Sequence, residues 1–475
     1  MALPGTQVTV GDASPVRSLA IDSGTAFVVG LADRGSTDAP ILVRSLSGAQ
    51  RALGARTSYS VLMDALETFF REGGNRAYVG RIVGPDAVAA DANLSDGSAS
   101  TLTVTAKSPG EWGDAIEVAV SDGSESGTFV LTVSDGDKIV EISTDLEDNA
   151  AAVQWAANSA YITLADLGEG NPEEQTVTLS GGDDDRANIT DAEVEAALSV
   201  FDADLGPGQV LYPGATDEDS HVAVVAHAAA NNRVALLDGT DTATAQTLVT
   251  EALDVRATGN GKFAALFAPW ATIPGLSAGT FRTVPYSAVQ AGLIARSDGA
   301  TSNPNIAVAG ENAIGRFVTG LTQTYSDEDR ETLNDAGVTV AVLKFGQVRT
   351  YGTRSVANPV SEDNWIQFQN SRLATFIAAQ ADRTAESYLF DQIDGRGLKL
   401  AEFAGDLQGI LLPLYQAGAL FGATPEEAFV VDVDSVNTVE SIADGELNAA
   451  IAVKMSPAAE RVVIEISKVR TEEAI

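Results

Sequence analysis

The sequence predicts an α/β (α+β) core built from N- and C-terminal parts of the chain, with an inserted mainly-β domain and extended terminal arms. Three observations predict it. Strand, helix and strand follow one another between residues 25 and 83, and the same alternation returns from Asp191. Between about residues 93 and 185 the pattern changes to short strand-like runs separated by Asp-Gly turns. Alternating stretches stand at both ends, Thr6-Gln-Val-Thr-Val10 and Arg461-Val-Val-Ile-Glu-Ile-Ser-Lys468. The expected division is an N-terminal arm at 1–17, the first part of the core at 18–92 and the inserted domain at 93–185. The main core follows at 186–454, and a C-terminal strand or arm at 455–475.

The elements follow in order. Thr25–Gly30 is an apolar run, read as a buried strand. Tyr59–Arg71 reads as a helix, because Leu62, Ala65, Leu66, Phe69 and Phe70 share one face and Gly73-Gly74 stops it. Ala77–Val83 is the next strand, completing a βαβ-like unit. In the insert, strands are expected at Thr101–Thr105, Ala115–Val120, Thr128–Val133 and Thr176–Leu179, with a helix at Ala150–Ser159. Helices at His221–Asn232 and Thr242–Thr258 and strands at Val234–Asp238, Phe263–Phe267 and Val338–Leu343 restore the alternation. Asn364–Ile393 reads as a long helix with Trp365, Phe368, Phe376 and Ile377 on its apolar side. Leu398–Ala419 reads as another, kinked or broken at Pro413. Ala428–Val433 is a strand, and Leu447–Lys454 with Arg461–Lys468 is expected to form a final strand pair around Pro457.

Composition excludes much chemistry. With no cysteine there are no disulfides and no thiolate sites, and only two histidines, His221 and His227, are available. Net charge is −37, a field that repels nucleic-acid phosphate and anionic membranes. From Asp91 to Thr190 there are 20 acidic and 3 basic side chains, a net of −17, which marks an outward, solvated module. No apolar run approaches the roughly 18 residues of a membrane span. The N-terminus lacks the basic and apolar parts of a secretory signal, so assembly in a cytoplasm is expected.

The motifs that could carry catalysis or metal are weak. Gly275-Leu-Ser-Ala-Gly279 spells a nucleophile elbow, but Pro274 precedes it, no helix pattern follows, and both histidines come before Ser277. Gly259-Asn-Gly-Lys262 lacks phosphate-loop spacing and runs into a strand. Asp183-Asp-Asp185 and Asp135-Gly-Asp137 do not fit a calcium loop. His221 and His227 are six apart, a spacing that does not share a helical face. No catalytic, cofactor or metal residue is expected. Two other readings, an α/β hydrolase-like enzyme with an inserted β domain and an acidic surface or adhesion protein, find no stronger support.

A further set of segments carries a resemblance. Phe263-Ala-Ala-Leu-Phe-Ala-Pro-Trp270, Val284-Pro-Tyr-Ser287 onward to Asp298 and Arg349-Thr-Tyr-Gly-Thr-Arg354 occur in that order. They are followed by Gln416-Ala-Gly-Ala-Leu-Phe-Gly-Ala-Thr-Pro-Glu-Glu-Ala-Phe429 and Arg461–Lys468. Together they resemble the C-terminal core of contractile tail sheath proteins of tailed phages and related injection machines. Pro4–Val10 resembles the family's opening arm, and Gly24–Gly30 and Phe70–Val79 its first core elements. Ala106-Lys-Ser-Pro-Gly-Glu-Trp-Gly113 resembles the lead-in to its inserted domain. Tyr351 departs from the pattern, standing where many members carry Trp.

The resemblance implies a structural subunit, not an enzyme. Subunits would polymerise as helical, six-fold rings around an inner tail tube and contract to drive the tube through a target envelope. The implied partners are the chain itself, the tube protein, and baseplate and tail terminator proteins, with no cofactor, no direct nucleic acid and no membrane insertion. The implied location is a virion tail or injection-system particle, assembled in the host cytoplasm. The arms Thr6, Gln7, Val8, Thr9, Val10 and Arg461, Val462, Val463, Ile464, Glu465, Ile466, Ser467, Lys468 would be shared with neighbouring subunits. The Val462, Ile464 and Ile466 face is expected to be buried, against the chain's own helices or a neighbour's. Arg396 and Lys399 are candidate contacts to the tube.

Overall fold

An eight-stranded sheet organises the chain. The computed structural model describes residues 23–168 and 170–464. Across the sheet the strands run in the order Gln347–Thr350, Val338–Lys344, Ala264–Ala268, Val234–Asp238, Gln209–Leu211, Ala26–Leu31, Ala77–Ile82, Ile41–Val43. The six inner strands are parallel, and the two outermost are antiparallel to their neighbours. Parallel strands are covered on both faces, so their sequences are unbroken apolar runs. Every residue of Val234–Asp238 and Ala264–Ala268 is buried. The two parts of the core meet where Ala26, Phe27 and Val28 pair with Gln209, Val210 and Leu211.

Successive side chains point to opposite faces. Val28 and Leu211 join one core with Leu62, Leu66 and Phe69 of helix Leu62–Glu72 and with Val289 and Leu293 of helix Tyr286–Thr301. Phe27 and Val210 join the other with Val194, Val224, Leu248 and Leu333, one from each of four helices. The last of these, Asp327–Ala336, begins with Ser326 capping Asp329 and stops at Gly337, whose φ is 90°.

Glu72 holds the first core together. Its carboxylate is fully buried and accepts N–H bonds from Arg316, Phe317 and Val318 at 2.9, 2.7 and 3.2 Å. Arg296 approaches it at 3.4 Å. Glu72→Gln keeps the shape but removes the charge and sets an amide N–H against these donors. It is expected to lower unfolding free energy by about 2 kcal/mol, read by denaturant unfolding.

The insert is two antiparallel sheets around one core. Asp91–Ser95, Ser100–Ala106 and Ile162–Asp166 form one. Gln175–Thr178, Ile116–Asp122, Phe129–Asp135 and Lys138–Ile142 form the other. Leu102, Val104, Val118, Leu131 and Trp112 pack between them, with helix Asn149–Ala156 alongside. The unit starts before residue 93, since Asp91–Ser95 is one of its strands and Val88 bridges Asp183.

A buried guanidinium fastens this unit to the core. Arg81 donates to the carbonyls of Ala32, Asp33, Gly35 and Pro109 at 2.8–3.1 Å and to Asp184 Oδ1 at 2.5 Å. Arg186 takes the other oxygen of Asp184 at 2.6 Å. Burial raises the Asp184 pKa despite both guanidiniums and lowers that of Arg81. Desolvation therefore outweighs attraction in this pair, and its role is to fix a geometry.

The C-terminal unit differs from expectation in three places. The long helix is Phe368–Glu386, so Trp365 lies in a preceding 3-10 turn, outside the helix. The next helix, Leu398–Gln416, continues past Pro413 to the end of its last turn. Ala450–Val453 pairs antiparallel with Phe429–Asp432, and the expected pairing with Arg461–Lys468 does not form over its described residues. The reason is local. After Met455, Ser456 N–H bonds Ala419 O at 2.9 Å and Ala458 exchanges bonds with the Gln367 side chain, both at 2.9 Å. Arg354 then pairs with Glu460 at 2.7 Å, leading the chain away from the hairpin.

Candidate assembly surface

The hairpin Phe429–Asp432 with Ala450–Val453 is a two-stranded sheet, with no third strand among the described residues. Its inner face, Val431, Ile451 and Val453, packs on Leu407, Leu411 and Leu414 of helix Leu398–Gln416 and on Leu373 of helix Phe368–Glu386. Its outer face, Val430, Ala450 and Ala452, is exposed. A groove of about 570 Å³ runs between strand residues Phe429–Val431 and helix residues Gly405, Gln408, Gly409 and Leu412. A Cβ at Gly405 or Gly409 would meet nothing within 4 Å, so the groove floor is open backbone. Two strands alone are marginally stable, and a free strand edge is a template for another strand.

The same unit leads into the tail. Chain 456–460 is tied down by the bonds above, and Asn305 Nδ2 donates to both Ala419 O and Ser456 O at 2.9 and 2.8 Å. Over the described residues beyond Glu460, 461–464, no further tie to the body is made. Val462, Val463 and Ile464 are 76%, 76% and 79% exposed. The expected burial of Val462 and Ile464 against the chain's own helices is therefore absent, because Arg354–Glu460 directs them outward. Ile466, with the rest of Glu465–Lys468, and the arm Thr6–Val10 lie outside the described residues. At the first described residue, Ser23 Oγ donates to Asp298 Oδ2 at 2.7 Å. Asp298 is also gripped by Arg372 at 2.6 Å, the buried pair that joins the C-terminal unit to the core.

Arg396 and Lys399 sit at the start of helix Leu398–Gln416, and of the two only Lys399 is closely paired. Lys399 Nζ lies 3.1 Å from Asp391 and 2.8 Å from Glu402, both of which raise its pKa. Arg396 is exposed and 3.8 Å from Asp394.

The residues weighed for chemistry take structural places. Gly275–Gly279 is the turn of a hairpin between Ala271–Pro274 and Phe281–Val284, closed by Gly275 N–H to Thr280 O at 2.6 Å. Ser277 is thus at an exposed turn without the following helix of an elbow. Asn260 precedes, and Lys262 lies within, a short 3-10 turn, Gly261–Phe263, that enters strand Ala264–Ala268. Asp184 is taken by two arginines, and Asp135-Gly136 forms the turn into Lys138–Ile142. His227 accepts from Arg233 at 3.0 Å, and burial first, then that cation, lowers its pKa to about 4.

A trio the sequence did not single out is more suggestive. Ser287, Asp238 and His221 are all buried, and burial pushes Asp238 up to about 6. Ser287 Oγ donates to Asp238 Oδ2 at 2.6 Å, so its proton is committed to a carboxylate. His221 Nε2 instead faces the carbonyls of Ala215 and Asp238, each at 3.2 Å. No imidazole reaches the hydroxyl, and the arrangement pins the start of helix Tyr286–Thr301 to the end of strand Val234–Asp238.

Comparisons with known proteins agree with the architecture. A family model, the phage tail sheath protein beta-sandwich domain, matches residues 85–184. No curated protein matches the sequence. Among solved structures, the sheath tail protein of Listeria innocua superposes with a TM-score of 0.64 at 14% identity, covering 87% of this chain and 89% of that one. The PVC sheath complex of an extracellular contractile injection system, in the contracted state, gives 0.59 at 14% identity, with 98% of each chain covered. A chain of the anti-feeding prophage baseplate gives 0.59 at 15%, covering 99% of this chain and 100% of that one. Residues 85–184 thus match the phage tail sheath β-sandwich domain, and the chain as a whole has the fold of the tail sheath and injection-system sheath structures it superposes on.

Proposed function

We propose that this chain is the structural subunit of a contractile sheath, polymerising as helical stacks of six-fold rings around an inner tube and contracting to drive that tube forward. One observation carries the reading. A single chain presents an exposed apolar tail beyond Glu460 and, elsewhere, a two-stranded sheet with an open edge and groove. Donor and acceptor of one strand in the same molecule, kept apart within it, describe a self-assembling subunit. Backbone bonds supply the strength of such a joint, and it survives rotation of the bodies it links. The arm Thr6–Val10 is assigned the same role.

The inner tube, baseplate and terminator proteins are the partners that this role requires, and a virion tail or injection particle built in the host cytoplasm is the setting. The −17 insert faces outward, where its charge stays hydrated. Arg396, more than Lys399, is left to meet an acidic tube, because Lys399 is already paired. Negative-stain microscopy of the purified chain tests the reading. Rings or striated hollow tubes are expected at high concentration. Small oligomers alone, at every concentration and salt tried, would overturn it.

A further inference from the structure

The hairpin that closes one side of the main sheet turns through Lys344–Gln347. Phe345 and Gly346 have φ of 54° and 75°, both left-handed. Two such residues in succession make the turn whose favoured pair is Asn-Gly. Gly346 fits, but a bulky aromatic in this region is an outlier held at a conformational cost. The ring gains little by burial, since Phe345 is 82% exposed, next to exposed Leu343 and Tyr351. On both counts asparagine would serve the subunit better.

Cations gather about these rings. Lys344 Nζ donates to Tyr351 Oη at 2.9 Å and lies 4.5 Å from that ring's centre and 5.8 Å from that of Phe345. The Arg349 guanidinium is 5.5 Å from the Phe345 ring and pairs with Glu311. A basic, aromatic projection thus stands out from a chain of net charge −37.

We propose that the 343–347 hairpin tip is a docking knob for a second copy of this chain, with Phe345 as its apolar anchor and Lys344 facing the copy's acidic surface. The proposal rests on the sheath reading and adds a lattice contact separate from the terminal arms. Charge complementarity selects the occupant: the chain's own surface is strongly acidic, and opposite charge at a contact steers and orients association. Buried aromatic anchors within a polar rim carry most of the energy of protein interfaces.

Phe345→Asn tests it, because the change builds the favoured Asn-Gly turn. The expected variant melts at or above the wild-type temperature yet needs about tenfold more protein to form tubes. Lys344→Glu should show the same assembly defect, narrowing as salt is raised. Wild-type tube formation by well-folded Phe345→Asn overturns the knob alone. So does a fall of several degrees in its melting temperature, which would make Phe345 a support of the fold. A wild-type chain that never polymerises overturns the sheath reading itself.

Discussion

Removing residues 461–475 leaves a subunit that folds and forms no tubes. Nothing in the described body depends on Arg461–Ile464: the last ties are Gln367 to Ala458 and Arg354 to Glu460, both retained. Thermal stability should stay within about 0.5 kcal/mol of the full chain, as for surface changes away from packed features. Polymerisation should fall by orders of magnitude, since under the proposed strand exchange each lost tail removes several backbone hydrogen bonds and an apolar row from a joint repeated at every subunit. Removing residues 1–17 is expected to act alike. Tubes of ordinary length from the 461–475 deletion would show that the groove along Phe429–Val431 is filled by something else. A cut after Met455 is a poorer experiment, because it also strips the bonds that Asn305 and Gln367 make to 456–458.

Arg81→Met destabilises the monomer by about 3–5 kcal/mol, the cost of breaking a buried ion pair from one side. Methionine fills much of the volume but satisfies none of the carbonyls of Ala32, Asp33, Gly35 and Pro109, and it leaves Asp184 with one guanidinium, that of Arg186. Because these carbonyls belong to both the core and the insert, unfolding should separate into two transitions, with the β unit released from the sheet. Arg81→Lys restores charge without the planar fork and should fall between the two. Equilibrium denaturation monitored by calorimetry reads both effects. One unshifted transition in Arg81→Met would mean that the clamp is incidental.

Strands buried on both faces were the most legible parts of this sequence. Val234–Asp238 was bounded to the residue, because a parallel inner strand must be apolar throughout and polar turns flank it. Asp91–Ser95 was missed because its residues are largely polar and half-exposed, so no alternation stands out. Helix Asp191–Ser199 was missed although Thr190 and Glu193 announce it: Glu193 accepts the Thr190 N–H at 2.7 Å. For Ala450–Val453 the strand was legible and its partner was not, since an alternating segment fits any free edge. The groove had even less signal. Gly405 and Gly409, one turn apart on a helix, were its only trace, and their openness depends on where the hairpin settles. Phe345 was legible as a residue, but its strain is a property of the turn that carries it.

The central pairing of Ala26–Leu31 with Gln209–Leu211 also sets a timetable for synthesis. When Ala26–Leu31 leaves the ribosome, one neighbour arrives soon, at Ala77–Ile82, but the other follows only after the whole insert has been made. At roughly 5–20 residues per second that interval lasts about 10–40 s, with a fully apolar strand edge left unmatched. The insert fills the wait. Its core draws only on its own segment, so it can fold while the nascent sheet is incomplete, and its dense negative charge keeps neighbouring nascent chains apart.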